Sequence, residues 1–282
     1  MNNILIIGAN GQLGSALQKE FPQAQTADIK TLDITDQKSV HNYNWQNIKV
    51  IINAAAYTNV DAAETPEGRI DACRVNAIAV ANLAKIAITH DITLVHISSD
   101  YVFDGSKNIY KENTPFSPLS VYGQSKASGD LSASVAPKHF IIRTSWVIGN
   151  SNNFVRTMHN LAQKGIKPSV VNDQVGRLTF TPDLSAAIKH LIKTDQPFGT
   201  YNFTNSGPSK SWAEIAKKVY DLSGKNPDDV TPISTEEYNQ GKTGIAPRPQ
   251  NSTLDLTKIE NTGFTNRDWQ DRLKKYIKEE LQ

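Results

Sequence analysis

The stretch VYGQSKASGD (residues 121–130) places Tyr122 four residues before Lys126. A phenol can give up a proton, and a neighbouring ammonium favours the phenolate that remains. Residues four apart lie on one face of a helix, so the two side chains would be neighbours if this stretch is helical. The same spacing recurs at Tyr238 and Lys242. The pattern alone therefore does not distinguish a catalytic pair from two ordinary surface residues.

The surroundings of the two pairs differ. Before the first pair, the apolar run TLVHI is followed by Ser98 and Ser99, which puts a hydroxyl at or near the carboxyl end of a buried strand. Ligands bind at that edge in open α/β sheets. Pro118, shortly before Tyr122, is suited to a first helical turn. The second pair has no such hydroxyl before it, and Gly241 would break its helix, so we interpret it as structural.

The three side chains together could reduce a ketone. A hydride added to a carbonyl carbon makes an alkoxide, which Tyr122 could protonate as it forms. A free phenol titrates near ~10, and Lys126 would make its proton easier to give. Ser99 would donate a hydrogen bond to the carbonyl oxygen and orient it toward Tyr122.

The hydride must come from a bound cofactor, and the beginning of the chain has the pattern of a phosphate loop. The segment IIGANGQLG contains Gly8, Gly11 and Gly14 between an apolar run and a stretch with helical spacing. Glycines let the backbone turn tightly and approach a pyrophosphate without an intervening Cβ. The following helix offers unpaired N–H groups to the phosphates. Strand, glycines and helix together predict a dinucleotide, and Lys126 could hold its nicotinamide ribose.

The choice between the two nicotinamide cofactors is left open by two neighbouring residues. Asp28 stands twenty residues after Gly8 and could accept hydrogen bonds from the adenosine ribose, which favours NADH. Lys30 could instead face a 2′-phosphate, which favours NADPH. The sequence therefore predicts NADPH or NADH without selecting one of them.

The elements that position these residues follow a βαβα order in the first half of the chain. Short apolar runs typical of buried parallel strands alternate with segments of helical spacing. This order predicts an α/β fold with a Rossmann-type doubly wound parallel sheet. Beyond Trp146, glycine, asparagine, serine and proline become frequent. We therefore predict an NAD(P)-binding domain at residues 1–147 and a smaller α/β domain at residues 148–282. The second domain would mainly bind a sugar nucleotide, although a later strand could return to the main sheet.

The composition argues against several classes of function. The net charge is only +2, with no basic tail, so no nucleic-acid partner is expected. The single cysteine, Cys73, fits a reducing cytoplasm. The six histidines form no HExxH motif or Cys/His cluster, so no metal site is predicted. No stretch approaches the ~20 apolar residues of a membrane span, and the first residues do not form a signal peptide.

At the level of whole motifs, the chain resembles the extended short-chain dehydrogenase/reductase superfamily and, within it, the dTDP-4-dehydrorhamnose reductases. The resemblance covers nearly the whole chain and rests on the blocks GANGQLG, NAAAYTNVDAAE, HISSDYVFDG, PLSVYGQSKASGD, RTSWVIG, NDQVGRLTFTPDL and RPQNSTLD, in that order. It implies NAD(P)H-dependent reduction of the C4 ketone of dTDP-4-dehydro-β-L-rhamnose to dTDP-β-L-rhamnose. Some members dimerise through a metal held by acidic side chains. No such residues are matched here, so we expect a monomer or homodimer without metal.

The loop pattern and the resemblance together assign roles to individual positions. Ser99, Tyr122 and Lys126 form the catalytic triad. The positions near the cofactor are Gly8, Gly11, Gln12, Leu13, Gly14, Asp28, Lys30, Asp33, Ile34, Ala55, Ala56, Tyr57, Tyr122 and Lys126. The positions that meet the substrate are Val60, Ser99, Asp100, Tyr101, Trp146 and Arg248, the last through the diphosphate or thymidine part.

Several of these residues also have purely structural interpretations. Asp61 and Glu64 in VDAAE could simply favour a helix N-terminus. Trp146 could be a core aromatic residue, and Arg248 could be a surface charge.

Two other functions are compatible with the same scaffold. One is a sugar-nucleotide epimerase or 4,6-dehydratase. Dehydratases typically carry an acidic pair after the strand-end hydroxyl, whereas here Asp100 is followed by Tyr101. The other is a non-catalytic regulatory subunit that keeps the nucleotide pocket, like the β subunits of methionine adenosyltransferase. Trp146 and the RPQNSTLD block favour the reductase.

Overall fold

The computed structural model describes residues 3–281, in which a parallel sheet forms the centre of the molecule. The strands are β1 (Ile4–Ile7), β2 (Gln25–Ala27), β3 (Val50–Asn53), β4 (Thr93–Ser99), β5 (His139–Thr144), β6 (Val147–Ile148), β7 (Ser169–Val171), β8 (Val175–Gly176), β9 (Thr179–Phe180), β10 (Gly199–Asn202), β11 (Lys210–Ser211) and β12 (Thr231–Ile233). Six of them pair in parallel in the order β10-β5-β4-β3-β1-β2. The predicted doubly wound α/β fold is confirmed.

Helices cover both faces of the sheet. They are α1 (Gln12–Glu20), α2 (Gln37–Asn42), α3 (Pro66–Cys73), α4 (Ala79–Thr89), α5 (Val121–Ser134), α6 (Phe154–Gln163), α7 (Thr181–Lys193), α8 (Trp212–Leu222), α9 (Thr235–Asn239), α10 (Thr257–Glu260) and α11 (Trp269–Tyr276). Short 3₁₀ turns lie at Ala62–Glu64, Asp100–Val102 and Pro227–Asp229, and π-helical turns at Arg74–Ile78 and Ile277–Leu281.

The central strands fill two apolar layers, one on each face of the sheet. In β1, Leu5 packs into the layer beneath α4, whereas Ile6 packs into the layer beneath α1 and α7. Successive side chains of a strand point to opposite faces, so both faces of β1 must be covered. Leu83 of α4, Leu17 of α1 and Ile188 of α7 are fully buried in these layers. The sheet is therefore packed on both faces.

Helix α5, which carries the predicted catalytic residues Tyr122 and Lys126, begins later than the sequence suggests. Its N-cap is Ser120, whose hydroxyl accepts a hydrogen bond from the Gly123 N–H at 3.1 Å. Pro118 therefore lies before the helix, and the expectation that it occupies the first turn was wrong. A serine hydroxyl satisfies an N–H group that a helix otherwise leaves unpaired, which explains why the helix begins at Val121.

The chain beyond residue 147 contributes both to the main sheet and to a separate core. β10 pairs with β5, and α7 packs against α1 on one face of the sheet. A third apolar cluster forms between α6, α8 and α11, with Val155, Val219 and Leu273 fully buried. The division at residue 147 stays a prediction.

One helical stretch, Pro66–Thr89, is long and apolar enough to cross a membrane by length and composition. It joins α3, the π-helical turn and α4. From the sequence we expected no such stretch. Half of its most apolar part is buried inside the fold, where Val80 and Leu83 pack into the layer beneath α4. Its apolar character is therefore what a core helix of this sheet requires.

Candidate active site

A cavity of about 590 Å³ lies at the carboxyl edge of the central sheet. The edge of a parallel sheet is where the ends of several strands can present side chains to one ligand. The predicted site residues that line the cavity are Gly11, Gln12, Leu13, Ala56, Val60, Ser99, Asp100, Tyr101, Tyr122, Lys126 and Trp146. The structure thus brings the predicted catalytic residues and part of the predicted phosphate loop into one space, the catalytic cavity.

The three predicted catalytic residues come from two neighbouring elements. Ser99 is the last residue of β4, and Tyr122 and Lys126 lie one turn apart on α5, which packs against β4. All three line the cavity although each side chain is largely buried. The Lys126 ammonium is fixed by a 2.6 Å hydrogen bond to the carbonyl oxygen of Ile97.

The phenol of Tyr122 is protonated at neutral pH. Burial raises its pKa well above the usual range, and the negative charge of Asp100 raises it further, while Ser99 opposes both. The sequence analysis expected Lys126 to lower this pKa. In the structure the Lys126 ammonium is directed to Ile97, and burial of the phenol outweighs other influences.

Burial has the opposite effect on Lys126. It lowers the pKa of the ammonium to about 8, and the carboxylate of Asp130 opposes that shift. Lys126 is therefore mostly charged at pH 7 and titrates close to neutrality.

Asp100 forms the floor of the site beside Ser99. Its carboxylate is 3% exposed, and it accepts a 3.0 Å hydrogen bond from the Ser99 hydroxyl. Burial raises the pKa of Asp100 to about 6, although the nearby Ser252 and Ser99 hydroxyls favour the charged form. The Tyr101 ring meets Tyr122 edge to face, 5.4 Å between centroids. The Ser99 hydroxyl must rotate away from Asp100 to donate to a substrate carbonyl.

The predicted phosphate loop turns at positions where only glycine fits. Gly8 has a φ of +78°, and a Cβ there would lie 2.5 Å from the backbone nitrogen of Ala55. A Cβ at Gly14 would collide with the Gly8 carbonyl oxygen. Within residues 3–281 no side chain caps α1, whose first turn carries no acidic residue. The N–H groups at the start of α1 are therefore available to an anion.

Gln12 connects this loop to the second half of the chain. Its side-chain oxygen accepts a 2.9 Å hydrogen bond from the Gly149 N–H, which follows β6. The first turn of α1 is thereby fixed against the segment beside Trp146. This contact joins the two predicted domains at the mouth of the cavity.

The predicted adenosine-end residues lie outside the cavity, along the edge beyond β2. Asp28 follows β2 and accepts hydrogen bonds from the N–H groups of Lys30 and Thr31 at 3.0 and 3.2 Å, which lower its pKa. The Lys30 side chain is exposed. Asp33 accepts 2.9 and 2.7 Å hydrogen bonds from Thr35. Asp28, which would favour NADH, and Lys30, which would favour NADPH, therefore lie in the same turn, and the choice between the two cofactors stays open.

Three other predicted positions also lie outside the cavity. Ile34 is buried in the apolar layer beneath α4, and Asn82 binds its carbonyl oxygen at 3.2 Å. Ala55 and Tyr57 follow β3, and the side chain of Asn76 bonds both the N–H and the carbonyl of Tyr57 at 2.9 and 3.0 Å. The loop after β3 is thus fixed in place beside Gly8.

A second cavity, of about 620 Å³, is lined by Arg248. The guanidinium of Arg248 holds Asp61 in a two-pronged ion pair at 2.8 and 2.9 Å, which lowers the pKa of Asp61. The Ala246 N–H donates to the same carboxylate at 3.0 Å. Arg248 is therefore neither a solvated surface charge nor a residue of the catalytic cavity.

Trp146 and Trp212 stack face to face between the two cavities. Their ring centroids are 3.6 Å apart, with Trp146 lining the catalytic cavity and Trp212 lining the second one. Trp146 has a φ of +48°, a backbone conformation that non-glycine residues rarely adopt. Strain of this kind is maintained only where packing imposes it, and it accumulates at functional sites. Gly176 lets the Trp146 ring pack closely against the backbone of β8, because a Cβ at Gly176 would lie 3.0 Å from that ring.

Sequence reasoning missed several residues that shape the site. Trp212 carried no local signal, because only the tertiary fold brings it to Trp146. Glu64 was interpreted as favouring a helix N-terminus in its own segment. Its carboxylate instead accepts a 2.9 Å hydrogen bond from the Val121 N–H and holds the start of α5. Asp130 stands four residues after Lys126, and that helical spacing could have identified it.

Candidate metal ligands do not gather anywhere in residues 3–281. No group of three or more His, Cys, Asp or Glu side chains there is arranged to hold a metal ion.

Comparison with known proteins agrees with this geometry. The family model described as RmlD substrate binding domain matches residues 1–282. A dTDP-4-dehydrorhamnose reductase of Aggregatibacter actinomycetemcomitans is 40% identical, covering 97% of this chain and 98% of that protein. The spore coat polysaccharide biosynthesis protein SpsK of Bacillus subtilis is 37% identical, covering 99% of this chain and 98% of its own length.

Among solved structures, dTDP-4-dehydrorhamnose reductase from Bacillus anthracis in complex with NADP is 38% identical to this chain. It superposes with a TM-score of 0.90 over 98% of each chain. Matches of this length cover the phosphate loop, the predicted catalytic residues and the Arg248 segment together. The chain therefore belongs to the RmlD substrate binding domain family, within the short-chain dehydrogenase/reductase fold.

Proposed function

We propose that this protein is an NAD(P)H-dependent oxidoreductase that reduces the C4 ketone of dTDP-4-dehydro-β-L-rhamnose to dTDP-β-L-rhamnose, the last step of dTDP-rhamnose synthesis. The observation that carries the proposal is the meeting of Ser99, Tyr122 and Lys126 in one cavity with the phosphate loop. Relatives that match nearly the whole chain are named for this reaction.

The residues around the phosphate loop fit a dinucleotide. Gly8 and Gly14 let the loop pack closely against the backbone of residues 54–55 and 8–9, and residues 10–13 of the same loop line the cavity. Residues 11–13 would hold the phosphates at the uncapped start of α1, Lys126 the nicotinamide ribose, and Asp28 the adenosine ribose. When bound, the cofactor supplies the hydride.

The side chains around the ketone handle the proton. Tyr122 is protonated at neutral pH and gives its proton to the C4 oxygen as negative charge develops there. The Ser99 hydroxyl, released from Asp100, donates a hydrogen bond to the same oxygen and fixes its position. The Lys126 ammonium stabilises the phenolate left on Tyr122.

The two cavities match the two halves of a nucleotide sugar. The sugar ketone would occupy the catalytic cavity, against Trp146. The diphosphate and thymidine would extend into the second cavity, where Arg248 lies beside the ion-paired Asp61 and the Trp212 ring lines the wall. Arg248 and the stacked tryptophans lie where one ligand would have to cross between the cavities.

The proposal is tested with the purified chain, the dTDP-4-keto sugar made in situ by upstream enzymes, and NADPH or NADH in parallel. We expect substrate-dependent loss of the reduced cofactor's absorbance together with formation of dTDP-rhamnose. Folded protein that binds the cofactor but consumes neither NADPH nor NADH would count against a reductase and favour a regulatory subunit. Conversion of the sugar without net cofactor consumption would favour an epimerase or dehydratase.

We also propose that the protein works in the cytoplasm, because its proposed substrate and cofactor are both small soluble molecules, and that it is a monomer or homodimer. Size-exclusion chromatography with light scattering would measure the oligomeric state directly.

A further inference from the structure

A buried row of charges continues from Lys126 into the interior of the molecule. Asp130 lies one turn after Lys126 on α5, and its Oδ2 accepts a 2.9 Å hydrogen bond from the Nε–H of Arg143 on β5. The three side chains are 2%, 2% and 4% exposed for Lys126, Asp130 and Arg143. One anion is thus enclosed between two cations, out of contact with solvent.

Arg143 is immobilised independently of Lys126. Its Nη1–H donates to the carbonyl oxygen of Glu112 at 2.9 Å. Its guanidinium lies over the rings of Phe103 and Phe116, 5.3 and 5.0 Å from their centroids. Arg143 therefore fixes one oxygen of Asp130 from the side away from the active site.

The other carboxylate oxygen of Asp130 has no hydrogen-bond partner among the described residues, so it can act on its surroundings only through its charge. Oδ1 is buried and makes no hydrogen bond within residues 3–281. A buried carboxylate oxygen without a partner is costly, so it is expected only where another interaction compensates. Burial raises the pKa of Asp130, whereas Arg143, the nearby Ser98 hydroxyl and, more weakly, the Lys126 ammonium on the same helix favour its charged form.

We propose that Asp130 is a positioning residue for the reduction: fixed by Arg143, its carboxylate keeps the buried ammonium of Lys126 charged while the enzyme works. The inference rests on the proposed function, because it assigns Lys126 the role of stabilising the Tyr122 phenolate. Asp130 itself does not line the cavity and acts through Lys126.

The other titratable groups around Lys126 do not replace Asp130. His96 faces α5 from β4 and is neutral, because burial and the Lys126 charge lower its pKa well below the usual range. Tyr122, one turn earlier, is protonated. Asp100 lies beyond the end of β4 and lines the cavity with Lys126, and burial raises its own pKa to about 6. Asp130 is the carboxylate that raises the pKa of Lys126 against burial.

The sign of the expected pH effect follows from these charges. Lys126 is active when protonated, so its contribution is present below a pKa of about 8 and is lost as the pH rises through it. Removing the negative charge of Asp130 leaves Arg143 as an unbalanced neighbouring cation. Both changes disfavour a charged Lys126 and move the loss of activity to lower pH.

The test measures kcat/KM of the complete enzyme with cofactor and keto sugar between about pH 6 and about pH 9.5, because this ratio reports titrations of the free enzyme. The alkaline limb is the fall of kcat/KM at high pH. In Asp130→Asn we expect this limb to lie at a pH lower by about one unit or more, the size of effect that a close opposite charge has. Asp130→Glu restores the charge and should return the limb toward that of the wild type.

A matched control separates this effect from loss of stability. Asp183 is also buried and pairs with an arginine Nε–H, that of Arg272, at 2.6 Å, but it does not line the catalytic cavity. Asp183→Asn should lower the free energy of unfolding and leave the alkaline limb where it is. If Asp130→Asn does not fold, the double variant Asp130→Asn/Arg143→Met removes both charges, a change that buried pairs often tolerate. Its limb should still lie below that of the wild type.

The outcomes separate the inference from the proposed function. A wild-type enzyme without turnover would remove the proposed function. The inference would be overturned if every folded Asp130 variant that lacks the carboxylate lost kcat/KM at the same alkaline pH as the wild type. The proposed reductase function would not be affected by that result.

Discussion

At the scale of single residues, burial controls the chemistry of the site. The same desolvation raises the pKa of Tyr122 and lowers that of Lys126, because it disfavours the charged form of each. The acid is thus held protonated, and the cation beside it titrates close to neutrality. The residues differ in what opposes burial: Ser99 acts on the phenol and Asp130 on the ammonium.

Replacing Tyr122 with phenylalanine tests the proton donor at this scale. We expect Tyr122→Phe to lower kcat by ~10²-fold or more, because the phenol is removed and the ring is kept. Cofactor affinity, measured by titration with NADPH, should change little. Tyr201→Phe is the control, since its hydroxyl bonds the Pro197 carbonyl at 2.7 Å away from the catalytic cavity. Equal turnover in Tyr122→Phe and the wild type would remove Tyr122 from the acid role.

At the scale of elements, the segment before α3 fixes two parts of the site at once. Asp61 holds Arg248 of the second cavity, and Glu64, at the end of the 3₁₀ turn, holds the Val121 N–H at the start of α5. A carboxylate at a helix N-terminus satisfies an unpaired N–H and interacts favourably with the helix dipole. This turn therefore supports the helix that carries Tyr122.

Removing that support should affect both stability and rate. We expect Glu64→Ala to lower the free energy of unfolding by about 1 kcal/mol, because a hydrogen bond to a charged acceptor is lost. It should also lower kcat, since the start of α5 positions Tyr122. Glu64→Gln keeps an acceptor oxygen and should retain more of both. Urea denaturation and steady-state kinetics measure the two effects.

The control for this experiment is Glu67→Ala in the exposed first turn of α3. If Glu64→Ala resembles that control in both measurements, the contact with Val121 does not support the active site.

At the scale of the whole molecule, the site depends on contacts between distant parts of the chain. The Trp146–Trp212 stack and the Asp61–Arg248 ion pair both join the first half of the chain to segments beyond residue 200. Asp61 brings a residue of the first half to the second cavity, whose other lining residues lie between 154 and 248. A substrate that spans both cavities would bind across this junction.

The Arg248 side chain tests whether the substrate reaches the second cavity. We expect Arg248→Ala to raise KM for the nucleotide sugar by about 10-fold or more, because a charge-assisted contact to phosphate is lost. Affinity for NADPH should stay the same. Calorimetric titration with dTDP measures the nucleotide part separately. Arg74→Ala, which breaks an exposed pair with Asp71, is the control; if it matches Arg248→Ala, the proposed nucleotide site is wrong.

The sequence by itself determined what local patterns can determine. The βαβα order predicted the parallel sheet, and a capping box of Ser211 and Glu214, three residues apart in the chain, begins α8. The glycine spacing predicted the turn at Gly8, where the φ of +78° requires glycine. These features depend on residues that are close together in the sequence, so they can be predicted before the fold is known.

The tertiary structure alone decided what depends on distant neighbours. Trp212 stacks on Trp146, and Glu64 accepts a hydrogen bond from the Val121 N–H. Burial lowers the pKa of Lys126, whereas the Asp130 carboxylate raises it. The sequence predicted Ser99, Tyr122 and Lys126 as catalytic residues, but the charge states of Tyr122 and Lys126 depend on desolvation and on carboxylates positioned by the fold. Electrostatic energies change with burial and distance, and only the folded chain fixes both.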